Sequence, residues 1–514
     1  MTTLKNLNIH QILENIDPIL PEKPNLVLII TDQERYPMHW PDGWVDQHLP
    51  QRKRLADTGI TFTHCHTTTN MCSPSRASLF TGVYPSRHGM FETLSFSGEY
   101  SSREREFPAD LPNLATILKS AGYQIAYKGK WHLTKPVRGN YDWSEEDNQF
   151  VAEQFGFDGW ECPDAGGTRE IRDSGGSDEN PMWDETYTQQ AERFLAEVDP
   201  HQPFCLIVSL VNPHDVLLHP NNYGVLGPHE RFANLGIELP PNFEQRTDNL
   251  PKAVQSNIGR AEKFLGALDT EQLKIDNCNW YAWLHILTEL YIGRVIDALE
   301  QRVVDGNGTT LRDTSLIVRL SDHGDMCMSH GGMRQKPFNI YDEVLRVPLV
   351  FSNPHLFPTP QETSSLAGLI DIVPTLASIA GVDTSGLAFD GQDLTAVLAD
   401  PSTEIRDEIL FTYDDQHTAA GAFLQTAPQP NHIRCIRDYQ WKFGLYFDPN
   451  GVEPNEYELY DLTRDPLEMN NVADDPAYAK QRIALQERLD RLMACYDAKP
   501  EDLPDIFGPS QVNS

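Results

Sequence analysis

Short, continuous apolar runs alternate along the chain with longer segments of helical periodicity. Asn25 to Thr31 (NLVLIIT), Phe204 to Leu210 (FCLIVSL) and Ser315 to Leu320 (SLIVRL) are unbroken and β-branched, the pattern of strands covered on both faces of a sheet. Each run ends in polar residues: Asp32-Gln33 after the first, Asn212-Pro213-His214 after the second, Asp322-His323 after the third. In open α/β sheets ligands sit beyond the carboxyl ends of strands, so these distant segments are expected to converge on one site. Helical patterns lie between them: Leu114 to Ala121 stopped by Gly122, Tyr187 to Val198, Trp280 to Val304, and Ile370 to Ala380 stopped by Gly381, as periodicity with a glycine stop predicts. The alternation predicts an α/β fold, a large mixed and mostly parallel sheet flanked by helices.

After Asp400-Pro401 the pattern changes. Strand-sized pieces at Glu408 to Tyr413, His432 to Arg437, Trp441 to Tyr446 and Tyr457 to Asp461 precede a helix from about Ala479 to Ala498. Adjacent β pieces with one helix predict a small antiparallel subdomain. The expected organisation is an N-terminal extension over 1–23, a catalytic domain over 24–400 and a C-terminal α+β subdomain over 401–514. Asp158 to Trp183, with two Gly-Gly pairs, and His219 to Leu250, rich in Pro and Asn, read as long loops, which often carry function.

Composition narrows the class. Aromatic residues at 10% and apolar residues at 39% argue against global disorder. No stretch approaches the ~20 apolar residues of a membrane span. Met1 to Pro24 carries Glu14 and Asp17 and has no long apolar core, so no secretory signal is expected and the cytoplasm is the predicted location. Eight cysteines without regular spacing or a C-x-x-C pair predict reduced thiols. A net charge of −34 disfavours nucleic acid and highly sulfated polymers, although a small anion entering a basic pocket is little affected. No membrane partner is expected, and association with further copies of the chain is left open.

One string carries the chemistry: Cys72-Ser73-Pro74-Ser75-Arg76-Ala77-Ser78-Leu79-Phe80-Thr81-Gly82. Pro74 suits a first helical position, which makes Ser73 the expected N-cap and Gly82 the stop. Cys72 then faces free backbone N–H groups, with the permanently charged Arg76 one turn on, an arrangement suited to an anion or an ionised nucleophile. The string resembles the C-x-P-S-R maturation signature of the type I sulfatases, members of the alkaline phosphatase superfamily. The C-terminal segments Tyr457 to Leu462, Asp465-Pro466-Leu467-Glu468 and Asn470 to Ala473 resemble the same family. The resemblance implies an alkaline-phosphatase-like fold and hydrolysis of a sulfate monoester (aryl, alkyl or small sugar sulfate) to an alcohol and inorganic sulfate. It also implies that a formylglycine-generating enzyme converts Cys72 to formylglycine, whose hydrate is the nucleophile: one hydroxyl attacks sulfur, and the other later expels sulfate by reforming the carbonyl.

Further residues are assigned through that resemblance. Asp32, Gln33, Asp322 and His323, with the group at position 72, form a divalent-metal shell. Oxygen ligands fit Ca²⁺, and the imidazole of His323 brings in Mn²⁺ or another transition metal. Lys128-Gly129-Lys130-Trp131-His132 looks like the family's G-K-W-H motif. Lys130 and His132 share one face if the strand continues. Lys130 would contact the formylglycine and sulfate, and His132 would assist collapse of the intermediate. His214 would protonate the departing oxygen and Lys336 would neutralise charge on sulfate, with Arg334 a competitor. Arg76 would hold nucleophile and carboxylates in register, and His330 is expected to be structural.

Two other readings remain. Asp32-Gln33 and Asp322-His323 also suit a phosphonate monoester or phosphodiester hydrolase of the same superfamily, against which Lys130 and His132 weigh. The remote alternative is a non-catalytic binding protein on a sulfatase fold. Specificity is expected in loops such as Asp158 to Trp183, Leu217 to Leu250 and Asp414 to Gln429. There Asp414, Asp415 and His417 read as an exposed acidic turn.

Overall fold

The run from Asn25 becomes β1 (Asn25–Asp32), every residue of it buried, at the centre of an eight-stranded sheet. The structure, a computed structural model, describes residues 19–96, 100–165, 182–221, 234–416 and 427–503. β1 pairs in parallel with β4 (Phe204–Pro213) on one side and with β5 (Ser315–Ser321) on the other. β3 (Gln124–Gly129) extends the sheet beyond β4, also in parallel. Beyond β5 lie β6 (Arg346–Ser352), antiparallel to it, then β2 (Gly59–His66), antiparallel to β6. β7 (Gln361–Thr363) and β8 (Ala367–Gly368) pair in parallel with β2. Three apolar strands side by side need cover on both faces, and helices supply it. Trp183–Glu197 and Glu271–Gln301 pack with Val27, Ile29, Val208 and Ile317 on one face. Cys72–Thr81, Leu114–Ser120 and Ile372–Ile379 pack with Leu26, Leu28, Ile30 and Val318 on the other.

A separate antiparallel sheet has the order β12-β11-β10-β9, with β9 Glu408–Tyr413, β10 His432–Asp438, β11 Trp441–Phe447 and β12 Glu456–Asp461. The helix Ala479–Cys495 packs on it through Leu485, Leu489 and Met493. Among the described residues no helix is long and apolar enough to cross a membrane.

Several local expectations are corrected. The helix carrying Cys72 begins at Cys72 itself, with Met71 in extended conformation as its N-cap. Ser73 is therefore inside the helix, and its hydroxyl accepts from the Leu94 N–H at 3.1 Å. Pro74 sits in the third position without cost, because the first turn of a helix has no acceptors for its N–H groups. Gly82 stops the helix as expected, at φ 73°. The long helix starts at Glu271 rather than Trp280, since Thr270 caps it by accepting from Leu273 N and its first turns are too polar to show periodicity. The helix before β4 likewise starts at Trp183 rather than Tyr187. Much of the expected loops, 166–181 and 222–233, lies outside the described residues, as does His417. Asp414 and Asp415 are not an exposed turn. Both are buried, Asp414 against His432 and Arg434, Asp415 on the Thr93 amide.

Candidate active site

Beyond the carboxyl ends of β1 and β5 the chain delivers Asp32 and Asp322, and the Cys72 helix approaches them through Arg76. Arg76 is fully buried and each of its nitrogens is used: Nη2 to Asp32 Oδ2 and Nε to Asp322 Oδ2, both at 2.9 Å, Nη1 to the Lys130 carbonyl and Ser209 Oγ, both at 2.8 Å. One planar fork thus ties β1, β4 and the ends of β3 and β5 to the helix, which a flexible ammonium would not reproduce. Lys130 Nζ adds a second cation at 2.7 Å from Asp32 Oδ2.

This division leaves Asp32 Oδ1 turned toward Cys72, while Asp322 Oδ1 accepts from Gln33 N at 3.1 Å and His323 N at 2.9 Å. Cys72 Sγ lies 3.8 Å from Asp32 Oδ1 and 3.2 Å from His323 Nε2. His323 Nε2 in turn lies 3.7 Å from Asp32 Oδ1 and 3.6 Å from Asp322 Oδ1. The four groups are buried, with ligand atoms within 4.8 Å of one another. Such separations are those of neighbouring ligands bound to one cation at about 2.0–2.6 Å. His323 Nδ1–H donates to the Gly324 carbonyl at 3.1 Å, which leaves the Nε2 lone pair for a cation. The residues present therefore fit a divalent metal. Gln33 is brought to the same place, but its amide oxygen accepts from Lys336 Nζ at 2.6 Å.

Lys336 also donates to Cys72 Sγ at 3.1 Å, whereas Arg334 turns away to the Gly266 carbonyl; the lysine is the residue at the site. The turn bearing Lys130 and His132 departs from the expected strand. β3 ends at Gly129, whose φ is 126° and whose Cβ would lie 2.0 Å from the Ser209 oxygen, so only glycine lets the chain leave the sheet there. His132 has φ 54°, and Asp164 holds the turn by accepting from Trp131 N at 2.9 Å and His132 N at 2.5 Å. Trp131 anchors the turn in the core, with Tyr127 and Phe157 at ring separations of 5.4 and 4.9 Å, each aromatic pair contributing about 0.5–1.5 kcal/mol beyond its area. His132 Nε2–H donates to the Leu94 carbonyl at 3.1 Å, and Nδ1 has no hydrogen-bond partner. His214 follows β4 because Asp184 accepts from Val211 N, Asn212 N and Asn212 Nδ2 and bends the chain there.

Electrostatics set the protonation states. Burial alone would raise the Cys72 thiol, but chiefly Lys336, then Lys130 and His323, hold it well below its ordinary value. Burial and Cys72 push Asp32 up, yet Lys130, His214 and Arg76 win and keep it ionised. Asp322 moves upward because burial and the neighbouring Asp32 outweigh His323 and Arg76, as a like charge in a buried place does. Burial and Lys130 would lower His214, but Asp32 and contacts with Asp215 and Cys72 leave it above an ordinary imidazole.

Sequence reasoning missed Asp164, Asp184 and Asp325. They act through backbone amides or another side chain, and their only signal is an acidic residue near a motif. His330 lies away from Cys72, stacked on Tyr341 at 3.5 Å and bonded to Gln245 and Glu343. A cavity of about 980 Å³ lies at the opposite ends of β1 and β5, lined by Asn25 and Thr314 among others, away from all these groups.

A sheet with a cation-ready carboxylate cluster, ringed by Arg76, Lys130 and Lys336 around one reactive side chain, defines a metal-assisted hydrolase of anionic esters. The chain belongs to the sulfatase family, sulfuric ester hydrolases: the Sulfatase family model matches residues 24–382, and one described as N-sulphoglucosamine sulphohydrolase, C-terminal, matches 331–495. The choline-sulfatase of Rhizobium meliloti (strain 1021) is 26% identical over 504 residues, covering 93% of this chain and 88% of that protein. A protein solved in complex with its substrate D-glucosamine-2-N,6-O-disulfate superposes with a TM-score of 0.71 at 21% identity, covering 93% of this chain and 99% of that one. The phosphonate monoester hydrolase of Agrobacterium radiobacter does so with 0.67 at 23% identity, covering 92% and 96%.

Proposed function

We propose that this enzyme hydrolyses a small sulfate monoester at Cys72, converted to formylglycine by a formylglycine-generating enzyme. The observation that carries this reading is the convergence of Asp32, Lys130, His214, Asp322, His323 and Lys336, from separate segments, around the side chain of Cys72. Cys72 Sγ stands where the oxygens of the modified residue would be. That group, when formed, supplies a hydroxyl nucleophile and a second hydroxyl whose deprotonation expels sulfate. One divalent cation, held by Asp32, Asp322, His323 and position 72 with the Gln33 amide beside them, would withdraw charge from the ester oxygens. The carboxylates favour Ca²⁺, and the imidazole favours Mn²⁺ or another transition ion.

The chain's own residues do the rest. Lys336 and Lys130 neutralise charge developing on the sulfuryl oxygens, in a buried setting where such donors act strongly. His214, kept protonated above the ordinary imidazole range, donates its proton to the leaving oxygen. His132, with Nδ1 free of any hydrogen-bond partner, takes the proton that releases sulfate. Arg76 keeps Asp32 and Asp322 in register with the Cys72 helix.

Asp32-Gln33 and Asp322-His323, together with the likeness to a phosphonate monoester hydrolase, favour a second reading, in which a phosphonate monoester or phosphodiester is the substrate. Lys130 and His132, both seated at the site, weigh toward sulfate. Turnover of an aryl sulfate and of the matching phenyl phosphonate by the metal-loaded enzyme tests this. The sulfate is expected to be the better substrate in kcat/KM, and a preference for phosphonate overturns the reading.

A further inference from the structure

Gln33 is the unusual member of the cluster, because an amide stands beside carboxylates and its two ends are not equivalent. Its Nε2 donates to Asp325 Oδ2 at 2.6 Å and to Gln335 Oε1 at 3.2 Å. Its Oε1 accepts from Lys336 Nζ, the ammonium that also reaches Cys72 Sγ. Gln33 and Asp325 are buried, so water does not compete for these contacts. Asp325 is itself fixed, since its Oδ1 accepts from Cys327 N at 2.7 Å. Rotating the Gln33 amide by half a turn would set an oxygen against the Asp325 carboxylate and an NH₂ against the Lys336 ammonium. Both new contacts would be repulsive or unpaired, which is costly in a buried place.

We propose that Asp325 is a positioning residue: through Gln33 it fixes the polarity of one amide, and so the place of the Lys336 ammonium beside position 72. The inference rests on the sulfate-hydrolysis reading for its kinetic consequence, though the hydrogen-bonded chain from Asp325 to Gln33 to Lys336 to Cys72 does not depend on it. It explains the pairing of an amide at 33 with a carboxylate at 325. A carboxylate at 33 would face Asp325 directly, and an amide at 325 would leave Gln33 free to turn.

The pairing is tested by exchange. Asp325→Asn, Gln33→Glu and the double variant are compared with the wild type in kcat and KM for an aryl sulfate at saturating Mn²⁺. Each metal-free protein is also measured for its Mn²⁺ dissociation constant, by competition with a chromogenic chelator, and for its melting temperature. In the double variant the amide introduced at position 325 can donate to the carboxylate introduced at position 33, whose other oxygen still faces Lys336. The single variants are expected to lose at least about tenfold in kcat with KM changed less, and Asp325→Asn to bind Mn²⁺ more weakly, an effect the size of one lost charge-assisted contact. The double variant is expected to exceed both single variants in kcat and to recover Mn²⁺ affinity and melting temperature. Single-variant losses that simply multiply in the double variant, or an Asp325→Asn enzyme as active as the wild type, overturn the proposal. If wild type hydrolyses no sulfate ester, the functional reading fails, while affinity and melting temperature still decide the lock: recovery in the double variant supports it and additivity overturns it.

Discussion

Among the described residues two buried clusters have the composition of a metal site, and they differ in how their charges are paired. The first is Asp32, Cys72, Asp322 and His323; the second is His330, Glu343 and Glu468, between the main sheet and the C-terminal one. In the second, Lys442 Nζ stands 2.6 Å from both Asp342 Oδ1 and Glu468 Oε1. Glu343 is shared by His39 at 2.8 Å and His330 at 3.1 Å. Its charges are already paired by the protein. In the first, Arg76 and Lys130 take only one oxygen of each carboxylate, and Oδ1 of Asp32, Nε2 of His323 and the side chain of Cys72 face one another. The first cluster turns its ligand atoms toward one another beside Lys130 and Lys336, whereas the second spends its carboxylates on a lysine and two histidines.

Substitutions break or sharpen that contrast in a graded order. The largest effect is expected for Cys72→Ala, which takes away the nucleophile proposed above: kcat should fall by about 10⁴-fold or more, measured with an aryl sulfate. Removing the metal with a chelator should cost a comparable amount and be reversed by adding back Ca²⁺ or Mn²⁺, the better ion being read from the restored kcat. Lys336→Met should lower kcat by about 10²–10³-fold, the cost of one donor to developing charge. His214→Asn should be selective. With a poor alcohol leaving group the loss should be about 10²–10⁴-fold, with a nitrophenolate it should be small, and the alkaline limb of the kcat profile, expected above the ordinary imidazole range in the wild type because Asp32 and Asp215 raise His214, should disappear.

The smallest effect belongs to the second cluster. Burial pushes the Glu468 carboxyl up to about 7 against the pull of Lys442. A group raised on folding takes up a proton, so its contribution to stability is complete below its unfolded value of 4.5 and is lost as pH rises through about 7. Glu468→Gln should flatten the melting temperature across that window and leave kcat within about threefold of wild type, as expected of a site outside the chemistry. A loss as large as that of Lys336→Met would dissolve the distinction between the clusters.

Strands were the most legible elements, because an unbroken apolar run has few other uses; β9 was read to the residue. The site was legible wherever a functional side chain closes such a run, as Asp32, Asp322 and His214 do. It was less so where a turn decides direction. Lys130 and His132 reach the site through the positive φ at Gly129 and His132 and the amide clamp of Asp164, not through strand alternation. The helix start at Cys72 was obscured because proline is tolerated throughout a first turn. Asp414 and Asp415 show the opposite failure: two adjacent acidic residues after a strand look like a solvated turn, yet His432, Arg434 and the Thr93 amide pair with them in a buried place.

The central claim, that catalysis resides in a modified Cys72, is tested most directly by the mass of the peptide containing it. Preparations made with increasing amounts of formylglycine-generating enzyme should contain an increasing fraction of peptide lighter by about 18 Da, and specific activity toward an aryl sulfate should rise in proportion to that fraction, through the origin. Equal activity in protein whose Cys72 is wholly unmodified would contradict the account.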